Sequence, residues 1–138
     1  MTENNVFIDQ RGMAWTLPTP PFPIKERWVS TIYEAIVKGW HGDEVTTRQL
    51  TCLYGQVYQV LKPPQRLPVA TMLYPGSLPI VIPVGVWSSV CAWEPSVLLY
   101  EQSHVQTDTR PMTQRITDEE WQRWFPEGDR RFLSQRDQ

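Results

Sequence analysis

The sequence predicts an α+β fold: two helices in the N-terminal half packed on a mainly antiparallel sheet, with a short helix near the C-terminus. Three observations point there. Apolar residues recur at intervals of three and four through 24–61, the spacing of one helical face. From 68 to 100 the interval becomes two, the period of a strand. Tetrapeptides with the form of a capping box stand before the second helical stripe and again near the C-terminus.

The first 23 residues read as an extended arm. Val6, Phe7 and Ile8 suggest a short strand that Gly12 ends, and Thr16 to Pro23 runs as polyproline II. Proline fixes φ and pushes the residue before it out of the helical region. Once the prolines stop, Ile24, Trp28, Ile32, Ala35, Ile36 and Trp40 form one stripe, giving a first helix over 24–40 that Gly39 and Gly42 break. Thr46 and Gln49 then frame a capping box, and Leu50, Leu53, Tyr54, Val57, Val60 and Leu61 carry a second helix up to Pro63-Pro64. These two make the helical pair, 24–61.

Val69–Tyr74, Leu78–Val84, Val86–Trp93 and Ser96–Tyr100 read as strands, with Pro75-Gly76 and Glu94-Pro95 as turns. Pro79 and Pro83 share one parity and remove ladder donors from one side, which an edge strand tolerates and a central strand does not. Segment 78–84 therefore belongs at a sheet edge. Thr117-Asp118-Glu119-Glu120 opens the short helix 117–125, whose apolar side holds Trp121, Trp124 and Phe125. The tail, 129–138, alternates charges. At 138 residues, 41% hydrophobic and 20% charged, the chain makes one domain, 1–138.

Composition narrows the function. A net charge of −2 argues against a nucleic-acid protein, which wants a basic face. Arg123, Arg130, Arg131 and Arg136 do lie near Trp121 and Trp124, a mixture suited to stacking bases, but acidic neighbours cancel their field. Leu67 to Trp93 carries no charge over a length that could cross a bilayer, yet Pro68, Pro75, Pro79 and Pro83 interrupt it, and each interior proline costs a helix about 3 kcal/mol. No membrane insertion is expected. Met1 to Asn5 lacks the basic and apolar regions of a signal peptide. Cys52 and Cys91 form no CxxC pair and read as buried, reduced thiols. The expected location is cytoplasmic.

Chemistry-bearing residues are sparse. Cys91, His104 and Asp108 supply the types of a thiol nucleophile, its base and an orienting carboxylate, but Cys91 sits in a strand-like context without a helix N-terminus to activate it. His41, Asp43 and Glu44 cluster in a loop without the spacing of a zinc site. No metal and no cofactor is expected, and no phosphate-binding glycine loop is present.

Binding motifs remain. Pro20, Pro23 and Lys25 fit PxxPx[K/R], in which two prolines enter aromatic grooves and a cation meets an acidic rim. Tyr74-Pro75-Gly76-Ser77-Leu78 resembles the YPxnL motif by which viral structural proteins recruit budding machinery; a turn between two strands explains it more simply. Seven tryptophans exceed what a small core places centrally, and tryptophan favours interfaces. The expectation is a non-enzymatic protein-protein interaction or assembly protein, a complex subunit or a homo-oligomer. Its partner-binding residues would be Pro20, Pro23, Lys25, Trp121, Trp124 and Phe125. The runner-up is a small hydrolase or metal-dependent enzyme using His41, Cys91, His104 and Asp108. A nucleic-acid accessory domain comes third.

Overall fold

The computed structural model describes residues 6–33 and 36–124. Among these residues twelve strands and one α-helix form: β1 (Val6–Asp9), β2 (Gly12–Trp15), β3 (Glu26–Ile32), β4 (Ile36–Val37), β5 (Trp40–Asp43), β6 (Arg48–Tyr54), β7 (Val57–Lys62), β8 (Val69–Leu73), β9 (Ile80–Ile82), β10 (Trp87–Ala92), β11 (Ser96–Gln102), β12 (Pro111–Gln114) and α1 (Asp118–Trp124). The architecture is nearly all β and not α+β.

The expected helical pair does not exist. Residues 26–62 instead supply β3 to β7. The stripe Ile24, Trp28, Ile32, Ile36 steps by four, and a step of four returns to the same face in a strand as well as in a helix. In β3 the pattern is strictly alternating, with Glu26, Trp28, Ser30 and Ile32 inward and Arg27, Val29 and Thr31 outward. β-branched and aromatic residues between the stripe positions (Val29, Thr31, Tyr33, Val37) tilt the balance toward strand. The Thr46–Gln49 capping box fails for the same reason. Asp43 Oδ1, not Thr46, accepts from the Val45 and Thr46 amides at 3.0 and 2.8 Å, and Gln49 enters β6. Gly55 (φ +81°) then turns the chain at the centre of the expected second helix, in a conformation that side chains avoid.

Two sheets face one another. One runs β3-β11-β6-β9; the other runs β12-β5-β10-β7-β8, with β4 also on β10. From β3 to β12 the chain changes sheet at every connection except β4–β5 and the β7–β8 hairpin, which is the weave of a jelly roll. All pairings are antiparallel. β9 ends the smaller sheet, the edge position that Pro79 and Pro83 require. The strands expected over 69–100 correspond to β8–β11.

Ile32, Leu50, Cys52 and Leu98 of the smaller sheet meet Val57, Leu73, Val90 and Ala92 of the larger one, and this shared core holds the two together. A second cluster, Val37, Trp40, Val60, Cys91 and Ile116, lies on the opposite face of the larger sheet, where α1 is fastened. The capping box at 117–120 forms as expected. Glu120 N–H donates to Thr117 Oγ1 at 3.1 Å and Thr117 N–H to Glu120 Oε1 at 3.1 Å. No helix among the described residues is long and apolar enough to cross a membrane. Residues 67–93 contribute three strands.

Candidate functional site

Between the sheets, above the shared core, a cleft of about 200 Å³ remains. Trp28 and Ser30 of β3, Arg48 of β6, Ile82 of β9 and Tyr100 of β11 line it from the smaller sheet. Lys38, His41, Gln59, Ser88 and Val90 line it from the larger one. Strand alternation explains the set. Tyr100 continues the inward parity of Leu98, Trp28 that of Ile32, and Gln59 that of Val57.

His41 is held by its backbone. It pairs with Ser88 across β5–β10, and Ser88 Oγ donates to its carbonyl at 3.4 Å. The glycines around it serve close packing. A Cβ on Gly39 would stand 3.2 Å from the Gln114 carbonyl, and one on Gly42 2.8 Å from Met112 Cε and 3.2 Å from the Val86 carbonyl. Lys38 precedes this turn, its N–H donating to the Val90 carbonyl at 2.9 Å. Arg48 Nε donates to Gln102 Oε1 at 3.1 Å, and its guanidinium lies 3.9 Å from Asp43 Oδ2. It also stands 5.9 Å from the centre of the Trp28 ring, within reach of a cation–π attraction. Trp28 in turn stacks on Tyr100 with centroids 5.1 Å apart and planes within 5°.

The electrostatics separate an acceptor from a donor. Partial burial, then the nearby Lys38 and Arg48 charges, lower the His41 pKa from 6.5, so the imidazole is neutral near pH 7 and able to take a proton. Burial pushes the Tyr100 phenol up to about 12 against the pull of Arg48, so it keeps its proton. Burial also lowers Lys38. At Asp43 burial acts upward, but the Val45, Arg110 and Thr46 donors outweigh it and hold the carboxyl below 3.8, which keeps it ionised opposite Arg48. A neutral base and a protonated phenol thus stand on opposite walls, with Lys38 on the wall of the base and Arg48 on that of the phenol.

Of the candidate site residues named from sequence, only His41 among the described ones lines this cleft. Cys91 is fully buried in the second cluster, beside the β10–β11 turn. His104 follows the far end of β11, about 20 Å away at roughly 3.3 Å per strand residue, where its Nδ1 shares a hydrogen bond with Ser103 Oγ at 3.0 Å. Asp108 is exposed in a 3-10 turn. The thiol triad is not assembled. Among the described residues no three His, Cys, Asp or Glu side chains are arranged to hold a metal ion. Pro20 is buried, while Pro23 and Lys25 are exposed, Lys25 N–H donating to the Gln102 carbonyl. Trp121 and Trp124 fall in α1; Phe125 lies outside the described residues. Trp28, Lys38, Arg48, Gln59 and Tyr100 escaped notice because 24–61 read as helix and Tyr100 as a plain strand end. The available signal was polarity on inward strand positions: Ser30, Arg48, Gln59 and Ser88.

No protein-family model matches the chain, and no curated protein matches it in sequence. Solved structures do share its fold. It is similar to a 4-keto-6-deoxy sugar epimerase from the novobiocin biosynthetic gene cluster of Streptomyces spheroides (TM-score 0.77, 19% identity, 91% of this chain and 73% of that one). It is equally similar to a 3'-monoepimerase from Streptomyces bikiniensis, solved with dTDP as a double mutant that replaces one histidine by asparagine and one tyrosine by phenylalanine (TM-score 0.77, 13% identity, 91% and 73%). A third is a 3,4-ketoisomerase from Thermoanaerobacterium thermosaccharolyticum, a histidine-to-asparagine mutant with TDP-4-keto-6-deoxyglucose (TM-score 0.68, 24% identity, 90% and 94%). These neighbours are enzymes. They overturn the expectation of a non-enzymatic binding or assembly protein, as the α+β assignment was overturned by the sheets.

Proposed function

We propose that the chain is an enzyme that moves protons beside the ketone of a nucleotide-linked 4-keto-6-deoxy sugar. One observation carries this reading: neutral His41 and protonated Tyr100 face each other across a cleft that also holds Lys38 and Arg48. A carbon next to a ketone gives up a proton when a positioned base accepts it and the charge developing on the ketone oxygen is stabilised. His41 takes the proton, the C–H electron pair becomes the new C=C bond, and the C=O π pair moves onto the ketone oxygen. Arg48 and Lys38 oppose the resulting charge. Tyr100 then donates its proton from the opposite face, which inverts the carbon. The stacked Trp28–Tyr100 pair offers an apolar wall to the sugar.

The match in residue types supports this. Histidine is the residue replaced in two of the neighbours above, and tyrosine in one. A second outcome of the same enediolate is a shift of the ketone to the adjacent carbon, favoured by the ketoisomerase, whose length this chain covers to 94%. Cys52 and Cys91, both buried and not in a disulfide, suit a cytoplasmic setting.

The test is incubation with TDP-4-keto-6-deoxyglucose in deuterated water, followed by proton NMR. Loss of the signal next to the ketone is expected, with the product identifying inversion or ketone shift. His41→Asn should slow exchange by about 10²–10⁴-fold, and Tyr100→Phe should slow product formation more than exchange. Absence of exchange, or exchange indifferent to His41→Asn, refutes the reading.

A further inference from the structure

Resting on that reading, we propose that Gln59 Oε1 accepts a hydrogen bond from the C2 hydroxyl of the bound sugar and makes the enzyme selective for it. Gln59 is fully buried yet lines the cleft. Its Nε2 leans on the neighbouring Val60 carbonyl at 3.5 Å, while its Oε1 has no hydrogen-bond partner among the described residues. A buried carbonyl is normally paired, so one left unpaired on a residue that lines the cleft marks where a ligand donor belongs.

Register places it relative to the base. On β10, Ser88 pairs with His41 on one side and Val90 with Gln59 on the other. Gln59 is thus two residues deeper than His41 and two strands across, about 12 Å at ordinary strand spacing and rise. A pyranose with an interaction at each side spans that separation. The chemistry of the sugar then selects the hydroxyl. A 4-keto-6-deoxyhexose linked through C1 retains hydroxyls only at C2 and C3. Forming the enediolate takes the proton from C3, the carbon beside the ketone that bears a hydroxyl; with C3 turned to His41, the C2 hydroxyl is left for the floor. Gln59 touches no reacting atom and is a positioning and specificity residue.

The experiment compares kcat/KM for TDP-4-keto-6-deoxyglucose with that for its 2-deoxy counterpart. Wild-type protein should prefer the hydroxylated sugar by about 10–100-fold, because the deoxy analogue leaves the carbonyl unpaired. Gln59→Met should collapse that ratio toward one, mostly through KM, and Gln59→Glu, which keeps an acceptor, should retain a preference. If Gln59→Met does not fold, Gln59→Asn, which withdraws the carbonyl by one methylene, must show the same collapse. A wild type active on both sugars without preference, or a preference untouched in Gln59→Met, overturns this inference and leaves the proton-transfer reading standing. A wild type that catalyses exchange in neither sugar overturns both.

Discussion

Glu120→Ala should cost the fold about 3 kcal/mol. The Glu120 carboxylate connects three elements: Oε1 accepts from Thr117 N–H and from Trp40 Nε1, each at 3.1 Å, and Oε2 meets Lys62 Nζ at 2.5 Å. Truncation removes half of the capping box, about 0.5–1 kcal/mol. It takes away the acceptor of the Trp40 indole N–H on a side chain that is 0% exposed, about 1–3 kcal/mol. The ion pair, with both side chains about a fifth exposed, adds about 0.5–1 kcal/mol after screening. At this chain length the total lowers Tm by roughly 10 °C. Glu120→Gln keeps an acceptor oxygen and should lose only about 1 kcal/mol.

Acid supplies a second readout. Burial alone would raise the Glu120 pKa, but Lys62, the Thr117 amide and Trp40 outweigh it and hold the carboxyl below 4.5. Its contribution is therefore complete above about pH 4.5 and is lost as pH falls through the lower folded value. Urea unfolding followed by tryptophan fluorescence from pH 3 to 7 measures both effects. A loss under about 0.5 kcal/mol for Glu120→Ala, or acid limbs that superpose on wild type, would refute the assignment of α1 to this carboxylate.

Other outcomes follow from single sites. Gly55→Ala places a Cβ against Ser96 Oγ and 2.5 Å from the Pro95 carbonyl at φ +81°, and should lose at least about 3 kcal/mol in thermal unfolding. Gly85→Ala, at φ +77° with nothing within 4 Å, should lose only about 1 kcal/mol; equal losses would contradict the tight sheet crossing at Gly55. The His41 imidazole should titrate below 6.5 by NMR, assigned by removing the other histidine signal with His104→Gln, and Lys38→Met should raise the midpoint. A midpoint above 6.5 counts against the neutral base. Cys52, with its pKa raised to about 11 chiefly by burial, and buried Cys91 should resist a thiol reagent at pH 8 until urea is added. Rapid labelling of folded protein would contradict their placement.

Local chemistry was legible wherever one residue type admits one backbone. The Thr117–Glu120 box, the edge position of 78–84 and the turns at Pro75-Gly76 and Glu94-Pro95 rest on proline, glycine or a capping hydroxyl, whose constraints act within a few residues. The strands over 69–100 were legible because alternation there has no helical counterpart. In 24–61 the apolar step of four served both periods, and Gly55 and the β-branched residues between the stripes were the discriminating marks.

The cleft was a different matter. Of its lining only His41 stood out in the sequence, and it was paired in expectation with Cys91 and His104, which lie on the far face of a sheet and beyond the end of a strand. His41, Arg48, Gln59, Ser88 and Tyr100 meet because the chain changes sheet again and again, bringing inward positions of distant strands to one level. What the sequence alone determined is where the chain must turn, end or lie at an edge, since those are costs borne by single residues. Which strands become neighbours depends on long-range pairing and the shared core of Leu50, Leu98, Val57 and Val90, so only the tertiary structure decided that a base, an acid and two cations share one cleft.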